Sequence, residues 1–281
     1  MTRALITGGS RGIGRSICLR IARDALARGQ TPKIVLTATG RSPDLDNAVA
    51  ELKAMGAQAL GVPGDLNDPA VPAMLVERTL EFCGGLDAIV HNAGGSIAGT
   101  LLKTSLADWD TVFAVNCRAF FLLGVAAFKA LSQSRGTLVA IGSGAAESPQ
   151  PFLNAYPPAK AALKMLVQQM AYEWGPKGIR VNCISPGLTM SRSTEVALAD
   201  PADKARAGEK IPLRRVGESE DVAGVVSFII GPDAAYITGE NINIDGGVRH
   251  IAMDGVLGIG SGDWAAQRAL RNMRPSEEAK K

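Results

Sequence analysis

A tyrosine and a lysine stand four residues apart in Tyr156-Pro157-Pro158-Ala159-Lys160, and Ser143 precedes them at the end of an apolar run. Residues i and i+4 share one helix face, so in a helix the ring and the ammonium project together. A free phenol loses its proton near pH 10, too high for proton exchange at neutral pH. A neighbouring cation favours the phenolate. Such a pair can act as a general acid and base, and a serine hydroxyl can orient the oxygen that receives the proton. Tyr-x-x-x-Lys is common on solvated helices. Here Ser143, at the end of a strand in the same expected sheet, gives the pair its weight.

The second chemical feature lies near the start, in Thr7-Gly8-Gly9-Ser10-Arg11-Gly12-Ile13-Gly14, between a strand-like run and an apolar helical pattern. Glycines at 8, 12 and 14 let the backbone turn sharply and approach a pyrophosphate, while the following helix start offers N–H groups and partial positive charge. That context turns a weak glycine pattern into a dinucleotide signal. An NAD-preferring site usually carries an acid after the second strand. Here that strand ends Thr39-Gly40-Arg41-Ser42. Arg41 and Arg11 suit the bidentate recognition of a 2′-phosphate, so the reading favours NADP(H) over NAD. Asp44 and Asp46 are the opposing signal, since either could return to the ribose.

These residues need a scaffold. Runs at 4–7, 33–40, 58–65, 86–94, 136–144, 179–187 and 241–247 are short, continuous and apolar, as parallel strands covered on both faces are. Helical patterns at 15–27, 46–55, 70–83, 106–131, 155–174 and 218–230 separate them. The alternation predicts an α/β fold: a doubly wound parallel sheet of about seven strands, Rossmann-like, with helices on both faces. It also predicts one domain over 1–250, with a substrate loop at 188–217, and an extension at 251–281 containing a basic helix candidate around 264–274. That extension could cover a cleft or a neighbouring subunit, or simply pack.

Composition narrows the function. A net charge of +3, with basic residues scattered, leaves no footprint for nucleic acid. Cys18, Cys83, Cys117 and Cys183 are far apart and form no CxxC, so free thiols are expected and no metal site. His91 and His250 have no ligand partners in sequence and read as packing or surface histidines. The start MTRALITGG enters a strand-like run at once, and no apolar run approaches the roughly 20 residues of a membrane span. The expectation is a soluble cytoplasmic protein without a membrane segment, the apolar 120–128 being core or subunit interface.

In order along the chain stand TGGSRGIG, GDL at 64–66, HNAG at 91–94, VN at 115–116, GSGAA at 142–146, YPPAK, SPG at 185–187 and IDGG at 244–247. By these landmarks the chain resembles the classical short-chain dehydrogenases/reductases, and its arginine pattern resembles the NADP-preferring 3-oxoacyl-carrier-protein reductases. The resemblance implies an enzyme that passes hydride between nicotinamide and a ketone, aldehyde or alcohol. In it Ser143, Tyr156, Lys160 and Asn116 form the catalytic set. Asn116 corresponds to the family's helix-kink asparagine, whose main chain holds a water in a relay with Lys160. Asp65 and Leu66 would flank the adenine, and Asn92, Ala93 and Gly94 would line the cofactor. Lys160 would also grip the ribose, Pro186 and Gly187 would bracket the nicotinamide, and Thr189 and Ser191 would fix its carboxamide. With Gly8, Ser10, Arg11, Gly12, Ile13, Gly14, Arg41, Ser42 and Tyr156 these complete the expected cofactor set.

The resemblance also implies a homo-oligomer, a tetramer or dimer. Phe152, Leu153, Leu188 and Met190 fit a substrate with apolar groups, and equally fit ordinary packing. Alternatives on the same fold are a non-redox lyase or isomerase and a catalytically silent NADP-binding regulator. Pro157 and Pro158 depart from the family pattern, because proline disfavours helix in the residue before it. If Asn154 caps the helix, both fall in the first turn, where they cost no hydrogen bond.

Overall fold

A computed structural model describes residues 2–250, so the extension at 251–281 and its helix candidate lie outside the described residues. Seven parallel strands form one sheet in the order β3-β2-β1-β4-β5-β6-β7. They are β1 Arg3–Thr7, β2 Lys33–Ala38, β3 Gln58–Pro63, β4 Ala88–His91, β5 Thr137–Ile141, β6 Arg180–Pro186 and β7 Asn241–Ile244. The chain builds outward from β1 to β3, then returns to lay β4 on the other side of β1. In such sheets ligands bind beyond the carboxyl ends of the strands where the order reverses. Thr7 and His91, paired in register at the ends of β1 and β4, mark that place.

Strand residues alternate between two buried layers. Ala4 and Ile6 face α1 (Gly12–Ala27), α2 (Pro43–Ala54) and the late helix Ser219–Ile230, whose Val222 and Val226 meet Ile17 and Ile21. Leu5, Val35 and Ile89 face α3 (Val71–Cys83), the helix Ala119–Ser134 and the helix Tyr156–Trp174. Each fully buried Leu or Ile contributes roughly 1.5–3 kcal/mol. This two-sided burial is why the strands show as unbroken apolar runs.

The helix expected over 106–131 is interrupted. α4 (Leu106–Phe113) passes through a wide π turn, Ala114–Arg118, into α5 (Ala119–Ser134). The Ala119 N–H bonds the carbonyl of Ala114, five residues back. Contrary to the length expectation, the run Leu106–Ser134 is long and apolar enough by composition to cross a membrane. Its Phe120, Leu123, Ala127 and Leu131 are instead buried against the sheet, which makes it a core helix. The helix Tyr156–Trp174 is α6. The loop expected at 188–217 contains two helices, α7 (Arg192–Glu195) and α8 (Pro201–Glu209), and Ser219–Ile230 is α9.

Candidate active site

The backbone turn after β1 leaves little freedom. Gly8 and Gly12 have φ of 64° and 53°. A Cβ on Gly14 would stand 2.1 Å from the Gly8 carbonyl oxygen, so the third glycine lets α1 close onto the turn. Arg11 is the N-cap of α1, yet no side chain caps this helix and its first turn holds no acid. Ser42 and Ser105, by contrast, accept from the N–H groups that open α2 and α4. The start of α1 therefore has N–H capacity for an anion, which fits the pyrophosphate of a dinucleotide.

The Asn92 amide donates to the carbonyls of Thr7 and Gly8 at 3.2 and 3.0 Å, joining the segment after β4 to this turn. Ser10 is buried, Ile13 half-buried and Arg11 exposed. Asp65 accepts from the Asn67 N–H at 3.0 Å, and Leu66 is buried beside it. Arg41 is exposed, while the Ser42 hydroxyl accepts from Leu45 N–H at 3.3 Å. Asp44 turns toward the glycine-rich turn and pairs with Arg11 at 3.5 Å. A cavity of about 460 Å³ opens there, lined by Arg11, Gly12, Asp44, Met190, Ser191 and Glu195.

At the other end, Lys160 is buried, and its Nζ donates to the Ile141 carbonyl at 2.7 Å, the last residue of β5. The same Nζ lies 5.5 Å from the centroid of the Tyr156 ring. Ser143 begins the 3-10 turn Gly144–Ala146, and its Oγ accepts from Ala145 N–H at 3.1 Å. Glu147, which sequence reasoning passed over, fastens that turn to α6. Its carboxylate takes Lys164 at 2.6 Å and the Asn241 amide at 3.1 Å, with Arg249 at 3.5 Å. The bond from Lys164 holds Glu147 below the usual carboxylate range.

The approach to Tyr156 corrects one expectation. Ala155, not Asn154, is the N-cap of α6. Asn154 and Phe152 both lie in the left-handed region, at φ 55° and 65°, and the Asn154 side chain accepts from the neighbouring Ala155 N–H. Tyr156 N–H bonds Leu153 O at 3.0 Å, and Ala159 N–H bonds Ala155 O at 3.0 Å. The two prolines thus sit between these bonds, in the turn where absent N–H groups are not missed. Phe152 O also accepts from Gly99 N–H at 3.0 Å.

Asn116 is fully buried in the π turn. Its Nδ2 donates to Gly95 O at 2.8 Å and Val112 O at 2.9 Å, and its Oδ1 accepts from Gly95 N–H at 3.3 Å. A Cβ on Gly94 would stand 2.6 Å from Asn116 Oδ1 and 3.3 Å from Lys160 Nζ, so this glycine passes between the two. His91 is buried between Thr7 and the π turn. Burial, reinforced by the charge of Lys160, lowers it to about 3, so the ring is neutral. Cys183 and Cys117 are pushed up by burial, and all four cysteines are free. Among the described residues no His, Cys, Asp or Glu cluster could hold a metal.

Pro186 is buried and Gly187 half-buried at the end of β6. Thr189 is buried and pairs with Gly217, its carbonyl accepting from the Thr194 hydroxyl at 2.7 Å. The Ser191 N–H donates to Thr194 Oγ1 at 2.9 Å in a capping box that opens α7. Of the apolar candidates Phe152 and Leu188 are exposed, and Leu153 and Met190 half-buried. A second cavity, of about 180 Å³, lies between Leu188, Ile211, Leu213 and Ile244. Neither cavity is lined by Ser143 or Tyr156.

A glycine-turned α/β sheet with a buried lysine beside a tyrosine defines a dinucleotide-type oxidoreductase. The comparisons identify which. A family model described as enoyl-(acyl carrier protein) reductase matches residues 12–249. The human mitochondrial dehydrogenase/reductase SDR family member 2 is 35% identical over 244 residues, 86% of this chain and 85% of that one. A 3-oxoacyl-[acyl-carrier-protein] reductase of Synechocystis is 34% identical over 247 residues, 87% of this chain and 96% of that one. A short-chain dehydrogenase of Burkholderia cenocepacia, solved in complex with NADP, is 35% identical at a TM-score of 0.80, with 88% and 98% of the two chains covered. The chain belongs to the short-chain dehydrogenase/reductase family of oxidoreductases.

Proposed function

We propose that this protein is an NADP(H)-dependent oxidoreductase that interconverts a ketone or aldehyde with its alcohol, with Tyr156 as general acid and base. The observation that carries this reading is the lysine. Its Nζ is held by Ile141 O at 2.7 Å and lies 5.5 Å from the centre of the Tyr156 ring, so a buried ammonium is fixed beside the proposed acid and base. In this reading Ser143 hydrogen-bonds the substrate oxygen, and Tyr156 gives that oxygen its proton during reduction and takes it back during oxidation. Asn116 holds the turn opposite Lys160.

A bound dinucleotide would supply or accept the hydride. Gly8, Ser10, Gly12, Ile13 and Gly14 with the start of α1 would hold its pyrophosphate, and Asp65, Leu66, Asn92, Ala93 and Gly94 would hold its adenosine and central part. Pro186, Gly187, Thr189 and Ser191 would hold the nicotinamide end. Arg11 and Arg41 are the reason to prefer the 2′-phosphorylated form, and the NADP complex of the Burkholderia relative supports that preference.

In the same reading residues 1–250 form one domain, 188–217 is the substrate loop, and the protein works as a soluble cytoplasmic homo-oligomer. The substrate is a small carbonyl compound with apolar groups, for which Phe152 and Leu188 offer exposed contacts. The test is a panel of ketones, aldehydes, alcohols and acyl and enoyl thioesters, assayed with NADPH, NADP, NADH and NAD, with Tyr156→Phe as control. Carbonyl-dependent NADPH oxidation that Tyr156→Phe abolishes is the expected result. Product without net consumption of the dinucleotide, or tight NADPH binding without turnover, overturns the reading.

A further inference from the structure

We propose that His91 is a positioning residue of this site: as the Nε2–H tautomer it holds the Val115 carbonyl and thereby fixes the π turn that carries Asn116. The proposal rests on the reading of Tyr156 and Lys160 given above for its effect on turnover, though not for its structural part.

The tautomer follows from the neighbours. Thr7 Oγ1 accepts two backbone N–H bonds, from Asn92 at 3.1 Å and Ala93 at 3.0 Å. A hydroxyl has two lone pairs and one hydrogen, so that hydrogen goes to the remaining partner, His91 Nδ1, at 3.1 Å. Nδ1 is then an acceptor and the ring proton sits on Nε2, which donates to Val115 O at 3.0 Å. The ring is wholly shielded from water, so a broken bond on either nitrogen would have no solvent replacement.

What the second bond holds is the residue before Asn116. The π turn is the one irregular turn in an otherwise continuous helix, and turns of this kind are frequent at functional sites. Asn116 spends its amide on Gly95 and Val112, and Gly94, next to Gly95, passes between Asn116 and Lys160. A line of contacts therefore runs from the glycine-rich turn through Thr7 and His91 to Val115, then from Asn116 to the segment facing Lys160. The cofactor side of that line has bonds of its own: Asn92 to Thr7 O and Gly8 O does not pass through the ring. Loss of the imidazole should loosen the π turn and spare the dinucleotide turn. A histidine that only filled space would be replaceable by an aromatic ring of similar size.

The experiment compares wild type, His91→Phe and His91→Gln. Phenylalanine keeps the ring without its nitrogens, while the glutamine amide reaches as far as Nε2 and can still donate to Val115 O. With the best carbonyl found, His91→Phe should lower kcat about tenfold or more while NADPH binding, read from nicotinamide fluorescence, changes less than about threefold. Amide exchange over 112–119 should speed by about tenfold in His91→Phe relative to α6, and His91→Gln should restore both readouts. Equal impairment of the two variants, or an unchanged kcat and exchange rate in His91→Phe, overturns the proposal. If wild type turns over no carbonyl, the functional reading falls, and the exchange comparison still decides the role of His91. Should His91→Phe not fold, nitrogen NMR of wild type decides: a neutral ring protonated on Nε2 supports the assignment, and Nδ1–H or a charged ring ends it.

Discussion

The two ends of the proposed dinucleotide groove are built under different electrostatic conditions. Lys160, Asn116 and His91 are buried, and each makes a defined hydrogen bond to a main-chain carbonyl of a strand or helix. Arg11, Arg41 and Asp44 are exposed, at the N-cap of α1, in the loop after β2 and in the first turn of α2, with one ion pair at 3.5 Å. A buried charge with a fixed partner acts at nearly full strength, while an exposed one is screened and mobile. In the proposed reading, the rigid, desolvated end carries the chemistry, and recognition of the cofactor's phosphate falls to weak, adjustable charges. Substitutions at the two ends should differ accordingly.

The largest effect belongs to the proposed proton donor. Tyr156→Phe should cut turnover by about 10³-fold, equivalent to about 4 kcal/mol of barrier, with NADPH affinity changed little. Steady-state kinetics together with fluorescence titration would show it. Residual activity near the wild-type level would move the chemistry to another residue and dissolve the contrast.

Acid provides the second test of the buried end. His91 is lowered to about 3, first by burial and then by Lys160. The unfolded chain takes up this proton below about pH 6.5, while the folded protein does not until about pH 3. Stability should therefore fall with decreasing pH inside that window, by about 2 kcal/mol between pH 7 and pH 5. The carboxylates that are held low, Asp24, Glu147 and Asp221, weaken the fold only at still lower pH. Urea unfolding of wild type and His91→Gln at a series of pH values separates the two contributions: the variant should lack the loss above pH 5. A wild type as stable at pH 5 as at pH 7 would show that the imidazole is not held neutral.

How far the sequence discloses this arrangement depends on the distance over which each contact acts. The strands are legible because both faces of Leu5, Ile6, Ile34 and Val35 are covered, which leaves no polar alternation. Tyr156 and Lys160 are legible because one helical turn joins them. Thr7 and His91 are 84 residues apart, and His91 and Val115 are 24 apart, so no local pattern reveals the link that fixes the imidazole. The π turn is hidden for a different reason: apolar spacing continues through Ala114–Arg118 and gives no sign of one extra residue. α8 carries a start signal in Asp200 and Pro201, but its sequence PADKARAGE has no apolar stripe to extend it. Asn154 has the residue type of a helix cap and instead takes a left-handed turn, because Ala155 occupies the cap position.

At the exposed end the expected effects are smaller and specific to the phosphate. Arg11→Ala removes a guanidinium that would face the 2′-phosphate. A charge-assisted hydrogen bond contributes about 1.5–3 kcal/mol, and exposure favours the lower figure. NADPH should bind about tenfold more weakly, and NADH should be unaffected. Titration of both dinucleotides against the variant measures this directly. Equal weakening of the two would assign Arg11 to the pyrophosphate and leave Arg41 as the phosphate's partner.

The smallest effect should have the opposite sign. Asp44 pairs with Arg11, so in the proposed reading it competes for the group that a 2′-phosphate would use and adds a negative charge beside it. Releasing Arg11 from an exposed pair of this kind is worth about 0.2–1 kcal/mol. Asp44→Asn should therefore tighten NADPH by about two- to fourfold and leave NADH within error, with the gain shrinking as salt is raised. The helix should tolerate the change, because Ser42 rather than Asp44 caps α2 and asparagine keeps the shape of the side chain. If Asp44→Asn instead weakens NADH and leaves NADPH alone, Asp44 is a ribose ligand, and the exposed end selects NAD through that carboxylate rather than NADP through Arg11.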